Sequence, residues 1–260
     1  MVFNMQHIHF ATLDSTNDEA HRLAVRGTRD PVLITASEQT AGRGRSGRTW
    51  QSPRGGAWLS VLWPISRSVE HYAATPLVAG LAVLRAVRRI IEKYQSVHVP
   101  LVQIKWPNDV LLDDRKVAGI LCETACTMNR ISHLIIGVGI NVDFHSKALK
   151  GSLRHTPTTL RESLKLKLPV DVVVDAFVTQ FEILMNRYDD QGLSPGMLRE
   201  LKSNLAYVGQ TKRWGFADET FDAEIAGLDP AGRLLLRAEG MERAVDYGEI
   251  NAPEAEVANT

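Results

Sequence analysis

The sequence predicts an α/β chain that ends in a small all-β domain. Up to about residue 205, runs rich in β-branched residues alternate with segments whose apolar residues recur at helical spacing. From Tyr207 onward helical spacing stops, and short β-runs follow one another between turns rich in Asp, Glu, Pro and Gly. The 260 residues are 44% hydrophobic, ample for one large domain or a medium one with a small companion. We place the boundary between 1–205 and 206–260.

The elements follow in order. Residues 7–13 suit a short edge strand. Thr16 with Glu19 reads as a capping box ahead of Ala20, Leu23 and Ala24, and Gly27 ends that helix. Val32 to Gln39 and Ala57 to Trp63 read as strands. The loop between them spans about sixteen residues, a length that marks function or disorder. Thr75-Pro76 starts a helix with Leu77, Leu81, Leu84, Val87 and Ile91 on one face and Arg85, Arg88, Arg89, Glu92 and Lys93 on the other. Val102 to Lys105 is a strand stopped by Pro107, which also holds Trp106 extended. Val110–Leu112 and Lys116–Thr124 form a hairpin. Period two puts Ile120, Cys122, Thr124 and Cys126 on one face, which makes the cysteines packing residues. A turn at Thr127–Arg130 leads to an apolar strand, His133 to Asp143, whose Gly137 and Gly139 suit the close approach of a ligand. After a polar loop come helices at Leu160–Lys167, from Asp171 as cap, and near Met197–Asn204. The β-runs at 211–214, 220–225, 234–237 and 244–247, the first two separated by the Asp218-Glu219 turn, then read as a small antiparallel barrel.

Charge separates along the chain. The 30 basic and 30 acidic side chains cancel, yet 5 Lys/Arg and 11 Asp/Glu lie from Tyr207 onward. The rest carries a mild excess of positive charge, which fits an anionic ligand better than general nucleic-acid binding. Cys122 and Cys126 lack the companions of a zinc site, so free thiols in a reducing compartment are expected. With no signal-peptide pattern and no run of ~18 apolar residues, the expectation is a cytoplasmic protein without a membrane segment.

The stretch with most chemistry is Gly42 to Trp50, GRGRSGRTW. Its glycines let backbone approach a ligand, and Arg43, Arg45 and Arg48 supply forked donors for phosphate or carboxylate. By itself it fits an anionic small molecule, an exposed Arg-Gly loop or a nucleic-acid contact. Three other stretches accompany it: Ser15-Thr16-Asn17, which could equally be only a helix cap; Lys105-Trp106-Pro107-Asn108-Asp109; and Gly137 to Asn141. Lys105 stands at the end of a strand on a stiff support.

In this order and spacing, the four stretches and Lys116 to Glu123 resemble the biotin protein ligases across nearly the whole chain. The resemblance implies a mixed, mostly antiparallel sheet with helices, of the class II synthetase/biotin ligase kind, plus a C-terminal SH3-like β-barrel. It implies ATP and biotin as substrates with Mg2+, and a biotin carboxyl carrier protein as partner, with a homodimer left open. Lys105 and Arg45 are then the catalytic residues. Ser15, Thr16, Asn17, Gln39, Arg43, Gly44, Arg45, Lys105 and Gly119 are the biotin-binding ones, and Arg43, Arg45, Arg48, Trp50, Lys105, Asn108 and Asn141 face ATP or the adenylate. The metal ligands stay unassigned. Ser15 stands too near the start for the N-terminal winged helix-turn-helix of some members, so DNA binding is not expected. A lipoate or octanoate ligase or transferase of the same fold, and a non-enzymatic biotin- or RNA-binding module, are the alternatives. Against the transferases, neither cysteine suggests a nucleophile.

Overall fold

Strands that alternate apolar residues, each side facing a different layer, build a seven-stranded sheet in the computed structural model, which describes residues 5–127, 130–150, 156–216 and 219–251. In chain order the elements are β1 (Gln6–Phe10), α1 (Thr16–Val25), β2 (Val32–Ala36), β3 (Gly56–Pro64), α2 (Thr75–Lys93), β4 (Val102–Lys105), β5 (Asp109–Leu112), β6 (Arg115–Thr127) and β7 (Arg130–Asn141). Then follow α3 (Leu160–Leu164), α4 (Val170–Gln191), α5 (Pro195–Ser203), β8 (Thr211–Phe216), β9 (Glu219–Leu228), β10 (Leu234–Ala238), β11 (Met241–Val245) and β12 (Glu249–Asn251). The large sheet runs β1-β2-β3-β7-β6-β5-β4, and only β1 and β2 pair in parallel. It is mixed and mostly antiparallel, as predicted. The C-terminal strands form a five-stranded antiparallel sheet in the order β11-β10-β9-β8-β12, a small SH3-like β domain.

The apolar face predicted for α2 is buried, and so are Val174, Phe177, Phe181, Leu184 and Tyr188 of α4. These two helices cover one face of the sheet, against Leu59, Val61, Ile120, Ile136, Val138 and Ile140. Helix α1 lies on the other face, over a smaller cluster of Ile34, Leu62, Ala125 and Ile135. Trp214, Ile225 and Leu228 of the C-terminal sheet join the α2/α4 core, and the Trp106 Nε1–H donates to Gly232 O at 3.3 Å. No helix among the described residues is long and apolar enough to cross a membrane.

Local details depart from expectation. Ser15, not Thr16, caps α1: its Oγ accepts from the Asp18 N–H, while Glu19 pairs with Arg22 instead of closing a capping box. Ala74 and Pro169, rather than Thr75 and Asp171, occupy the cap positions of α2 and α4; Thr75 turns its hydroxyl back onto Tyr72 O. A register shift at Ala125/Cys126 takes Cys126 out of line with Cys122, so Cys122 packs on the core and Cys126 is exposed. The middle of the Thr127–Arg130 turn, part of the polar loop and Asp218 of the turn before β9 lie outside the described residues.

Candidate active site

Opposite α2 and α4, a cavity of about 420 Å³ opens between the start of α1, the arginine loop, the β4–β5 turn and the middle of β6 and β7. Every residue named in advance for the site lines it: Ser15, Thr16, Asn17, Gln39, Arg43, Gly44, Arg45, Arg48, Trp50, Lys105, Asn108, Gly119 and Asn141. Residues as far apart in sequence as Ser15 and Asn141 line one cavity because β3 and β7 are adjacent and α1 crosses above them.

One end of the cavity is neutral and densely hydrogen-bonded. Ser15, Thr16 and Asn17 are buried. The Thr16 N–H donates to Gln39 Oε1 at 2.8 Å, and Gln39 Nε2 donates to Ser52 Oγ at 2.8 Å. Ser60, which sequence reading missed, lies on β3 with its Oγ 2.7 Å from Thr16 Oγ1 and 2.6 Å from Asn17 Oδ1. A polar residue in an otherwise apolar strand was the signal available for it. Gly137 serves this end by leaving room: a Cβ there would stand 2.2 Å from Asn17 Oδ1. The glycine admits the site's own side chain rather than a ligand directly. Gly139 does the same for Trp50, whose indole Nε1 would be 2.4 Å from an added Cβ.

The β4–β5 side of the cavity holds Lys105, 4% exposed at the end of β4. A buried lysine amine is a point charge whose field solvent screens poorly. Asn108 is fixed by donating from Nδ2 to Ile120 O at 2.7 Å, and its Oδ1 accepts from Arg45 Nη1 at 3.1 Å. Burial lowers the Arg45 pKa, and the charge of Asp109 works against that shift.

The far end is cationic and aromatic. Lys116 pairs with Asp109 at 2.6 Å and sits 5.1 Å from the centre of the Trp50 ring. Trp50 meets Trp58 edge-on, so it is anchored as well as available. Its Nε1–H and Asn141 Oδ1 are buried with no hydrogen-bond partner among the described residues, while Asn141 Nδ2 donates to Thr158 O at 2.9 Å.

The three arginines do different things. Arg43 lies against two carboxylates, Glu123 and Asp18. Burial pulls its pKa down, but those carboxylates outweigh it and the pKa ends above its ordinary value. Arg45 bridges Asn108 and, at 3.4 Å, Gly248 O of the C-terminal domain. Arg48 forms an ion pair with Glu249 of β12.

The model of the biotin/lipoate A/B protein ligase family matches residues 9–141, which contain every site residue expected from the sequence. The chain belongs to that family. Within the family, the bifunctional ligase/repressor BirA of Bacillus subtilis is 32% identical over 91% of this chain and 71% of its own length. The biotin–[acetyl-CoA-carboxylase] ligase of Paracoccus denitrificans is 30% identical, over 92% of this chain and 98% of its own. A family structure, the biotin protein ligase of Aquifex aeolicus in complex with biotin and ATP, superposes with a TM-score of 0.78 at 26% identity, covering 95% of this chain and 97% of that one.

Proposed function

We propose that this chain is an ATP-dependent biotin–protein ligase that activates biotin as biotinyl-5′-AMP and transfers it to a lysine of a biotin carboxyl carrier domain. The observation that carries the reading is that one cavity brings together three kinds of chemistry: neutral hydrogen-bonding groups, a buried lysine, and cations beside an indole. A neutral ureido ring suits the first, a carboxylate beside an α-phosphate the second, and a nucleotide the third.

In the first half-reaction a biotin carboxylate oxygen attacks the α-phosphorus and pyrophosphate leaves. Two anions must meet, so fixed positive charge lowers the barrier. Lys105 stands where the two would touch, and Arg45 and Arg48 extend the positive field toward the phosphates. In the second, the acceptor lysine amine attacks the acyl carbon and AMP departs with the bonding electrons. The arginine loop, held to the C-terminal domain through Gly248 and Glu249, covers the mixed anhydride and keeps water from it. Magnesium would enter with the triphosphate, held mainly by phosphate oxygens and water.

Pyrophosphate exchange into ATP tests this. Exchange is expected with biotin and not with lipoate. Exchange with lipoate alone would make the chain a lipoate ligase, and no exchange with either would leave a binding module.

A further inference from the structure

Glu123 does not line the cavity, yet its carboxylate is joined to two residues that do. Its Oε2 accepts from Asn17 Nδ2 at 2.6 Å, and its two oxygens take the Arg43 guanidinium as a fork at 2.9 and 3.0 Å. A carboxylate only accepts, so the NH2 of Asn17 must face Glu123 and its Oδ1 must face the other way. There Ser60 Oγ waits at 2.6 Å. Ser60 has one proton, and with Oδ1 turned toward it that proton belongs to Asn17. The Thr16 proton then has two acceptors in reach, Ser60 Oγ at 2.7 Å and Gln39 Oε1 at 3.1 Å, and the shorter contact takes it, since two hydroxyl oxygens that close need a proton between them. The chain runs one way: Thr16 to Ser60, Ser60 to Asn17, Asn17 to Glu123. Thr16 Oγ1 and Asn17 Oδ1 are left as acceptors at the neutral end of the cavity, which is what the N–H edges of a cyclic urea require.

We propose that Glu123 is a positioning residue that sets the hydrogen-bond polarity of the ureido subsite through Asn17, Ser60 and Thr16, with Arg43 as its counter-charge. The inference rests on the biotin reading above. It gives Arg43 a task other than binding phosphate, since its guanidinium is already held by Glu123 and by Asp18 at 2.7 Å. It also accounts for a charged group beneath a neutral subsite: an amide in its place could present either donor or acceptor to Asn17, and only the longer 3.5 Å contact with Leu121 O would still favour one polarity.

The experiment compares biotin with biotin methylated on a ureido nitrogen, by calorimetric titration of the full chain. The wild type is expected to prefer biotin strongly. Glu123→Gln, which keeps the shape and removes the charge, should weaken biotin binding by about tenfold or more, because the polar groups of the subsite are no longer uniquely oriented. It should also shrink the preference for biotin over the methylated form. Glu123→Asp, still acceptor-only, should retain more of that preference than Glu123→Gln. Ser60→Ala breaks the relay elsewhere at little cost in volume and should lose discrimination in the same way. If Glu123→Gln or Ser60→Ala is folded and discriminates as the wild type does, the relay is wrong while the biotin reading stands. If the wild type binds no biotin, the function itself fails, and the variants are not needed to show it.

Discussion

The two faces of the large sheet share strands but not chemistry. On β7, Ile136, Val138 and Ile140 turn toward α2 and α4, whereas Gly137, Gly139 and Asn141 turn toward the cavity. On β6, Ile120 and Cys122 take the helix side and Gly119 and Glu123 the other. The face under α2 and α4 is covered by buried apolar side chains. The cavity face is stripped of side chains at three strand positions so that Asn17, Trp50 and Lys116 can occupy the space. A strand interior with glycine loses packing and gains little locally. That loss is accepted only on the face where a substrate must lie. Stability is therefore concentrated on one side of the sheet and recognition on the other, one residue apart in sequence.

The largest effect belongs to the buried charge. Lys105→Ala should slow single-turnover adenylate formation by about 10²–10³-fold, the scale of removing one preorganised electrostatic group, while biotin binding stays measurable. Lys105→Arg should not restore it, because a wide planar fork does not replace a point charge. A near-wild-type rate in Lys105→Ala would place Lys105 with the structural residues.

A pair of neighbours divides the two faces most directly. Gly137→Ala puts a methyl on Asn17 Oδ1 and should raise the biotin KM at least tenfold with a modest change in melting temperature. Ile136→Ala, on the packed side, should cost about 2–5 kcal/mol of stability and leave the biotin KM within about twofold. Equal effects of both on KM, measured by steady-state exchange, would show the faces to be coupled.

Arg45→Gly should act on the covered intermediate more than on its formation. It removes the bond to Asn108, worth about 1.5–3 kcal/mol for a hydrogen bond from a charged group, and the longer, weaker contact with Gly248 O, and adds a flexible residue to the loop. Adenylate synthesis should weaken but persist, and free biotinyl-adenylate should label serum albumin when no acceptor is present. Parent-like albumin labelling, with adenylate still made, would remove Arg45 from that role.

The smallest effect concerns the cysteines. Burial, with the charge of Glu123 adding to it, pushes the Cys122 thiol up to about 12, while Cys126 is exposed. At pH 8 a thiol reagent should modify Cys126 in the folded protein and reach Cys122 only after unfolding, with two labels per chain in mass spectra of the denatured protein. Since the folded pKa of Cys122 is raised, its contribution to stability is complete below the ordinary thiol value and is lost as pH climbs toward 12.

Much of this was legible in the sequence because local rules were enough. Period two and period 3.6 placed the long strands and the buried face of α2, and Pro107 stopped β4 with Lys105 at its end. The residues that line the cavity were legible as well, through motifs whose order along the chain survives folding. Three things needed the tertiary structure. The cap residues needed it because Thr16, Thr75 and Asp171 all have suitable side chains, and the entry path of the chain chose among the neighbours. The partners of the arginines needed it because GRGRSGR offers three equivalent guanidinium groups, and only the strand order brings Glu123 to Arg43, Asn108 to Arg45 and Glu249 to Arg48. Ser60 and Glu123 needed it because a hydrogen-bond relay is set by contacts 43 and 106 residues apart, and no local period encodes contacts at that range.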